Sequence, residues 1–229
     1  MDQRTATLFR KAWPRQIAFL VVMALLVFGP AGTVRYWQAW LFLAVFVALT
    51  VTMGLYFVVH DPALVERRME VGPRAEKEPA QRIAIGILSI VLLAMLVLPG
   101  LDRRFHWSDV PAWLTILADL AIVAGFVIFF LVMRENSYAA ATIRVEHGQK
   151  VISTGLYGVV RHPMYMGALP LMIAMPLALG SYWALLLVIP AFAALVWRLI
   201  DEERVLRRDL PGYTEYCARV RYRLLPGIW

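Results

Sequence analysis

The chain has 229 residues, 61% of them hydrophobic, and a mean hydropathy of +0.65, well above the roughly 45–50% apolar content of a soluble domain. Its formal net charge of +7 could suit a nucleic-acid binder, but the basic residues are parcelled out between long uncharged runs, and no nucleic-acid partner is expected. The one cysteine, Cys217, excludes an internal disulfide, and the four histidines (His60, His106, His147, His162) lack ligand spacing, so no metal site is expected.

In chain order, six apolar runs predict an all-α, polytopic transmembrane helical bundle: residues 16–28, 37–59, 83–98, 112–133, 164–179 and 183–199. Crossing a bilayer takes about 20 residues. The second and fourth runs meet that length, while the first, third and fifth need flanking residues or a thinner bilayer. The first run follows a charged lead and has no small-residue cleavage site, which predicts a retained span rather than a signal peptide. Between spans two and three, residues 61–81 carry Pro62, Pro73 and Pro79 and are expected to be a solvated connector, a broken surface helix or loop. In span four, Asp119 is an ionisable group within the bilayer and therefore a functional candidate. Its distance from the polar clusters favours a satisfied or protonated structural role.

The chain changes character after span four. Residues 134–163 form a long polar stretch with Asn136, His147, Gln149, Lys150, Thr154, Tyr157, Arg161 and His162, and long loops of this kind are often functional. Span five contains Pro170 and Pro176, and only Gly180, Ser181 and Tyr182 join it to span six. That turn predicts a tight antiparallel hairpin. The highly charged tail, 201–229, is expected to pack back on the cytoplasmic face. Two regions follow: residues 1–133, with four spans, and residues 134–229, with the motif loop, the hairpin and the tail.

Charge sets the expected orientation. Twenty of the 23 Lys and Arg residues fall on one side of this topology; Arg35, Arg103 and Arg104 fall on the other. The positive-inside rule puts the rich side, with both termini, in the cytoplasm, where it also meets anionic lipid.

Chemically capable groups are densest at residues 154–167, TGLYGVVRHPMYMG. Pro163 suits the first turn of a helix, so Arg161 and His162 precede the start of span five and Tyr165 lies in its first turn. Free N–H groups and the positive end of the helix dipole favour a carboxylate or phosphate there. An ordinary cap with Arg and Tyr anchors is the competing reading. A second cluster, Arg198, Asp201, Glu202, Glu203, Arg204, Arg207 and Arg208, lies at the end of span six. The hairpin should bring it beside the first, where acidic and basic pairs could hold a zwitterion. Taken alone, it also reads as a charged helix end with i,i+4 pairs such as Glu203–Arg207. No GxGxxG, phosphate loop or nucleophile elbow is present.

Together these residues resemble a known family. Gly155-Leu156-Tyr157-x-x-Val160-Arg161-His162-Pro163-x-Tyr165-x-Gly167, an apolar hairpin, Glu202-Glu203, Tyr213-x-x-Tyr216 and Tyr222-x-Leu224-Leu225-Pro226 are similar to the isoprenylcysteine carboxyl methyltransferases and the related phospholipid methyltransferases. The likeness covers residues 136–229. Leu156 departs from it, standing where proline is usual.

The resemblance implies a membrane-embedded S-adenosylmethionine site without a Rossmann domain, with S-adenosylhomocysteine as product. It makes Tyr157, Arg161, His162, Pro163, Tyr165, Gly167 and Glu203 candidate cofactor-binding residues, and Glu202 and Arg198 candidate catalytic ones. A lipophilic acceptor would enter from the bilayer and the cofactor from the cytoplasm. The expected acceptor is a prenylcysteine carboxylate, with a phospholipid amine as the alternative. An NADPH-dependent sterol or isoprenoid reductase shares the C-terminal pattern and is the third reading.

Overall fold

The computed structural model describes residues 3–69, 72–76, 78–139, 142, 145 and 148–229. Expectations that involved Lys77, Arg144 and His147 lie outside the described residues. Among these residues eight α-helices follow in order: α1 (Gln3–Ala31), α2 (Trp37–His60), α3 (Pro62–Arg68), α4 (Pro79–Phe105), α5 (Ala112–Glu135), α6 (Pro163–Ala178), α7 (Val188–Asp209) and α8 (Tyr213–Arg219). No strand occurs among the described residues. Long apolar runs fold this way because a helix satisfies every backbone group internally, which lipid cannot do for it. Pro62, Pro79 and Pro163 each occupy a first helical turn, where the missing N–H is harmless.

Among the described residues, five helices are long and apolar enough to cross a membrane: α1, α2, α4, α5, and α7 together with the 3-10 turn Trp183–Leu187 before it. The sixth expected span is α6, at 16 residues. It measures about 24 Å at 1.5 Å per residue, short of a hydrocarbon core of about 30 Å. Pro163 fixes its start, and Gly180, with φ of +71°, lies in the turn beyond its end. Helices α1 and α4, by contrast, run well past the short apolar stretches seen in the sequence, α1 because its polar lead is helical too and α4 because residues 79–82 and 99–105 on either side are.

The turn at residues 180–182 joins α6 to α7, yet α6 lies chiefly along α5, while α7 and α1 lie along α4. Small residues explain the α5–α6 fit. A Cβ on Gly167 would sit 3.1 Å from the Phe129 ring, and one on Gly125 would sit 2.8 Å from Leu171. Val27, Tyr36, Phe42, Ile122, Ala178 and Leu179 form the main core. At that end Asp102 accepts from Ser108 N at 2.7 Å and from Ser181 Oγ, and the Tyr36 hydroxyl donates to Leu179 O. These bonds tie the α6–α7 turn to α4 and α2. Leu25, Trp113, Leu120 and Ile189 point outward, each at least 60% exposed. Such apolar faces suit lipid, and the bundle is that of an integral membrane protein.

Asp119 is buried, and neither carboxylate oxygen has a hydrogen-bond partner among the described residues.

Candidate active site

A cavity of about 330 Å³ opens where α5 ends, α6 begins and α7 passes. Its wall begins with the motif loop. Gly155 adopts φ of +55° against the Glu135 side chain, and the Thr154 hydroxyl donates to the Glu135 carboxylate. A side chain at Gly155 would be strained by that backbone and crowded by Glu135. Asn136 Nδ2 donates to the Tyr157 hydroxyl at 2.9 Å, tying the end of α5 to the loop. Burial pushes the Tyr157 phenol up to about 12, so at neutral pH it is an uncharged donor and acceptor.

The tail holds the loop from behind. Tyr216 Oη donates to Tyr157 O at 2.7 Å, and the Arg161 and His162 amides donate to Tyr222 O and Arg223 O, both at 2.9 Å. Leu210, Tyr213, Tyr216 and Val220 pack as a small core beneath. Burial raises the Tyr213 and Tyr216 phenols well above their ordinary value.

Two charge networks meet at the cavity. In the first, Glu203 is 4% exposed and takes Arg161 Nη1 at 3.0 Å, His162 Nε2 at 3.4 Å and Arg223 Nε at 3.0 Å. In the second, Arg198 Nη1 pairs with Glu76 at 2.7 Å and donates to Gln81 Oε1 at 3.2 Å. Arg198 Nε donates to the Tyr165 hydroxyl at 3.1 Å, which in turn donates to Glu202 Oε2 at 2.5 Å. Gln81 Nε2 donates to Asp201 at 2.5 Å. The His162 and Tyr165 rings stack at 5.7 Å.

Among the described residues, three buried polar atoms in the wall have no hydrogen-bond partner: Arg161 Nε, Tyr213 Oη and Thr142 Oγ1. Buried polar groups are nearly always paired, so three orphans around one cavity indicate a polar ligand. Among the described residues, no group of His, Cys, Asp and Glu could hold a metal ion.

The model of the phospholipid methyltransferase family matches residues 113–210. That segment is similar to the family. It runs from α5 through α7 and carries most of the cavity wall; Arg68, Ile85, Leu88, Tyr213 and Tyr216 lie outside it. The Delta(14)-sterol reductase of Mus musculus is also similar, at 34% identity over 91 residues, which are 38% of this chain and 22% of that protein. The aligned part thus amounts to about a fifth of the reductase.

Within the matched segment, Tyr157, Arg161, His162, Pro163, Tyr165, Arg198 and Glu202 all line the cavity. Glu203 and Gly167 do not. Glu203 lies behind Arg161 and His162, and Gly167 is pressed against Phe129 of α5. Four contributors were not singled out in the sequence: Arg68, Glu76, Gln81 and Arg223. Glu76 sits in the proline-broken connector expected to be solvated, yet it is 2% exposed and paired with Arg198. Nothing in its local sequence distinguishes it from a surface glutamate.

Proposed function

We propose that the protein is a membrane methyltransferase using S-adenosylmethionine and acting on a lipophilic acceptor. The observation that carries this reading is the set of polar atoms without partners among the described residues, Arg161 Nε, Thr142 Oγ1 and Tyr213 Oη, in a cavity that Glu202 also lines and that is built largely from the matched segment. A zwitterionic amino-acid end fits that array.

Arg161 and His162, with the N-terminal turn of α6, offer donors and positive potential to a carboxylate. Glu202 offers its carboxylate to an ammonium group. Tyr157 and Tyr213 supply aromatic surface and neutral hydroxyls. Glu203 acts at one remove: it holds Arg161 and His162 in place. Arg198, anchored by Glu76 and Gln81, orients the Tyr165 hydroxyl toward Glu202. When bound, S-adenosylmethionine supplies a methyl group already activated by its sulfonium. The protein's contribution is then mainly positioning. A carboxylate acceptor is ionised at neutral pH and needs no base. An amine acceptor must lose a proton, and Glu202 is the residue placed to take it.

A prenylcysteine carboxylate is the favoured acceptor and a phospholipid amine the second. An NADPH-dependent reductase is a third reading, supported by the partial likeness to the sterol reductase. Incubating the purified protein with methyl-labelled S-adenosylmethionine and membrane lipid extract tests the proposal. Label should pass into the organic phase, and into methyl esters if the acceptor is a carboxylate. Absence of transfer to any lipid or prenylcysteine acceptor would remove it.

A further inference from the structure

The polar cavity is not alone. A second, apolar cleft of about 680 Å³ lies between α1, α2, α3 and α5. Phe19, Met53, Phe57, Leu64, Phe126 and Met133 help to line it. Its volume falls within the range usual for small-molecule sites. The two cavities share two residues, Arg68 and Phe129. Phe129 belongs to the α5 face on which Gly167 packs, and Arg68 ends α3.

Arg68 is an unusual group to find at such a junction. Its Nη1 donates to Ala139 O at 3.1 Å, and among the described residues no carboxylate pairs with it. Burial pulls its guanidinium below the ordinary value, the direction expected of a cation without a compensating anion. The other arginines inside the site are paired: Arg161 and Arg223 with Glu203, and Arg198 with Glu76. A guanidinium offers five donors in a planar fork that matches carboxylate and phosphate oxygens. Among the described residues, Ala139 O is the one acceptor that the Arg68 fork meets.

We infer that Arg68 binds the anionic group of an amphiphile whose hydrocarbon chain lies in the apolar cleft. This inference rests on the methyltransferase reading for its consequence: Arg68 then sets the acceptor's head group at the mouth of the cofactor cavity. The chain enters among Phe19, Phe57 and Phe126, the anion stops at Arg68, and the methyl-accepting atom lies next to it, facing Tyr157 and Glu202. The shared chemistry is one anionic oxygen group, carboxylate or phosphate, on a lipid-length chain. The cleft wall is mostly apolar, with Arg15, Gln16 and Thr50 as polar members of its lining, and Arg68 is the cation it shares with the polar cavity. A water-soluble anion would have no use for such a wall.

The test uses the full chain in nanodiscs and three chain-matched probes, palmitate, hexadecyl phosphate and hexadecanol, with inorganic phosphate as a fourth. Binding of the two anionic amphiphiles to the parent should be about ten- to a hundredfold tighter than that of hexadecanol, the worth of a charge-assisted hydrogen bond. Arg68→Met should bind all three alike. Arg68→Lys keeps the charge without the fork and should retain part of the preference. It carries the test if Arg68→Met does not fold. Equal binding of hexadecanol by the parent, or an undiminished preference in Arg68→Met, would overturn the inference. So would inorganic phosphate competing as well as hexadecyl phosphate, since that describes a free-anion site. Titrating the same proteins with S-adenosylhomocysteine separates the two claims. Anion preference without S-adenosylhomocysteine binding removes the methyltransferase reading and leaves the Arg68 site standing. S-adenosylhomocysteine binding without anion preference does the reverse.

Discussion

Glu203 Oε1 lies 3.0 Å from Arg161 Nη1, joining the end of α7 to the loop before α6 behind the cavity rather than within it. The adjacent Glu202 faces the cavity and accepts from Tyr165. The two glutamates therefore face different partners, one the basic residues behind the wall and one the cavity itself.

Removing the Glu203 charge should act first on the fold. Glu203→Gln leaves Arg161 and Arg223 without their shared buried carboxylate, and breaking such a pair costs about 3–5 kcal/mol. Gln keeps the shape and some hydrogen bonds, so about 3 kcal/mol is expected. The unfolding midpoint of ligand-free protein should fall clearly. An unchanged midpoint would show that Glu203 holds nothing.

Glu202→Gln should behave differently. Glu202 is only partly buried and its one hydrogen bond to Tyr165 can persist as an amide contact. Stability should change by less than about 1 kcal/mol, whereas affinity for S-adenosylhomocysteine should fall about tenfold, or about 1.4 kcal/mol. Calorimetric titration beside a thermal melt reads both. Parent-like affinity would remove Glu202 from the ligand site.

Much of this organisation was legible in the sequence. Uncharged runs and proline positions act locally, and they marked the helices and the start of α6. The motif residues Tyr157, Arg161, His162 and Tyr165 were identifiable as a cluster by their density. The split between Glu202 and Glu203 was not. Neighbours on a helix differ by about 100°, and only the packing of α7 decides which one meets the cavity. The burial of Glu76 depends on how the 61–81 connector folds over Arg198, and its composition looks like that of any solvated loop. The length of α6 was masked by an apolar run that stops only at Gly180. The short turn correctly implied that the motif loop meets the end of α7, as the Arg161–Glu203 pair shows, whereas the closer packing of α6 on α5 is set by Gly125 and Gly167.

Alkaline pH should loosen the tail and loop together. Tyr157 has its phenol pushed up to about 12 in the folded protein, against about 10 when unfolded. Between those values the folded state retains a proton that the unfolded state has lost. The contribution is therefore fully present below about pH 10 and is lost as pH rises toward 12. Tyr213 and Tyr216 shift the same way. Stability measured by denaturant titration should fall above about pH 10, less steeply in Tyr157→Phe. Identical slopes in the two proteins would show that Tyr157 does not contribute.

Orientation is open to a direct check. From the distribution of Lys and Arg, the 61–81 connector and the tail are expected in the cytoplasm and His106, which ends α4, on the opposite side. Single cysteines introduced at positions 74 and 106 in a Cys217→Ser background should be labelled by an impermeant thiol reagent from opposite faces. Labelling of both from one face would refute the topology.

The most direct test of the central claim is a pair of calorimetric titrations of the parent protein in nanodiscs, one with S-adenosylhomocysteine and one with NADPH. Saturable binding of S-adenosylhomocysteine, abolished or greatly weakened in Arg161→Ala, with no heat from NADPH, is the predicted result. Saturable NADPH binding with no response to S-adenosylhomocysteine would contradict the methyltransferase account and favour a reductase.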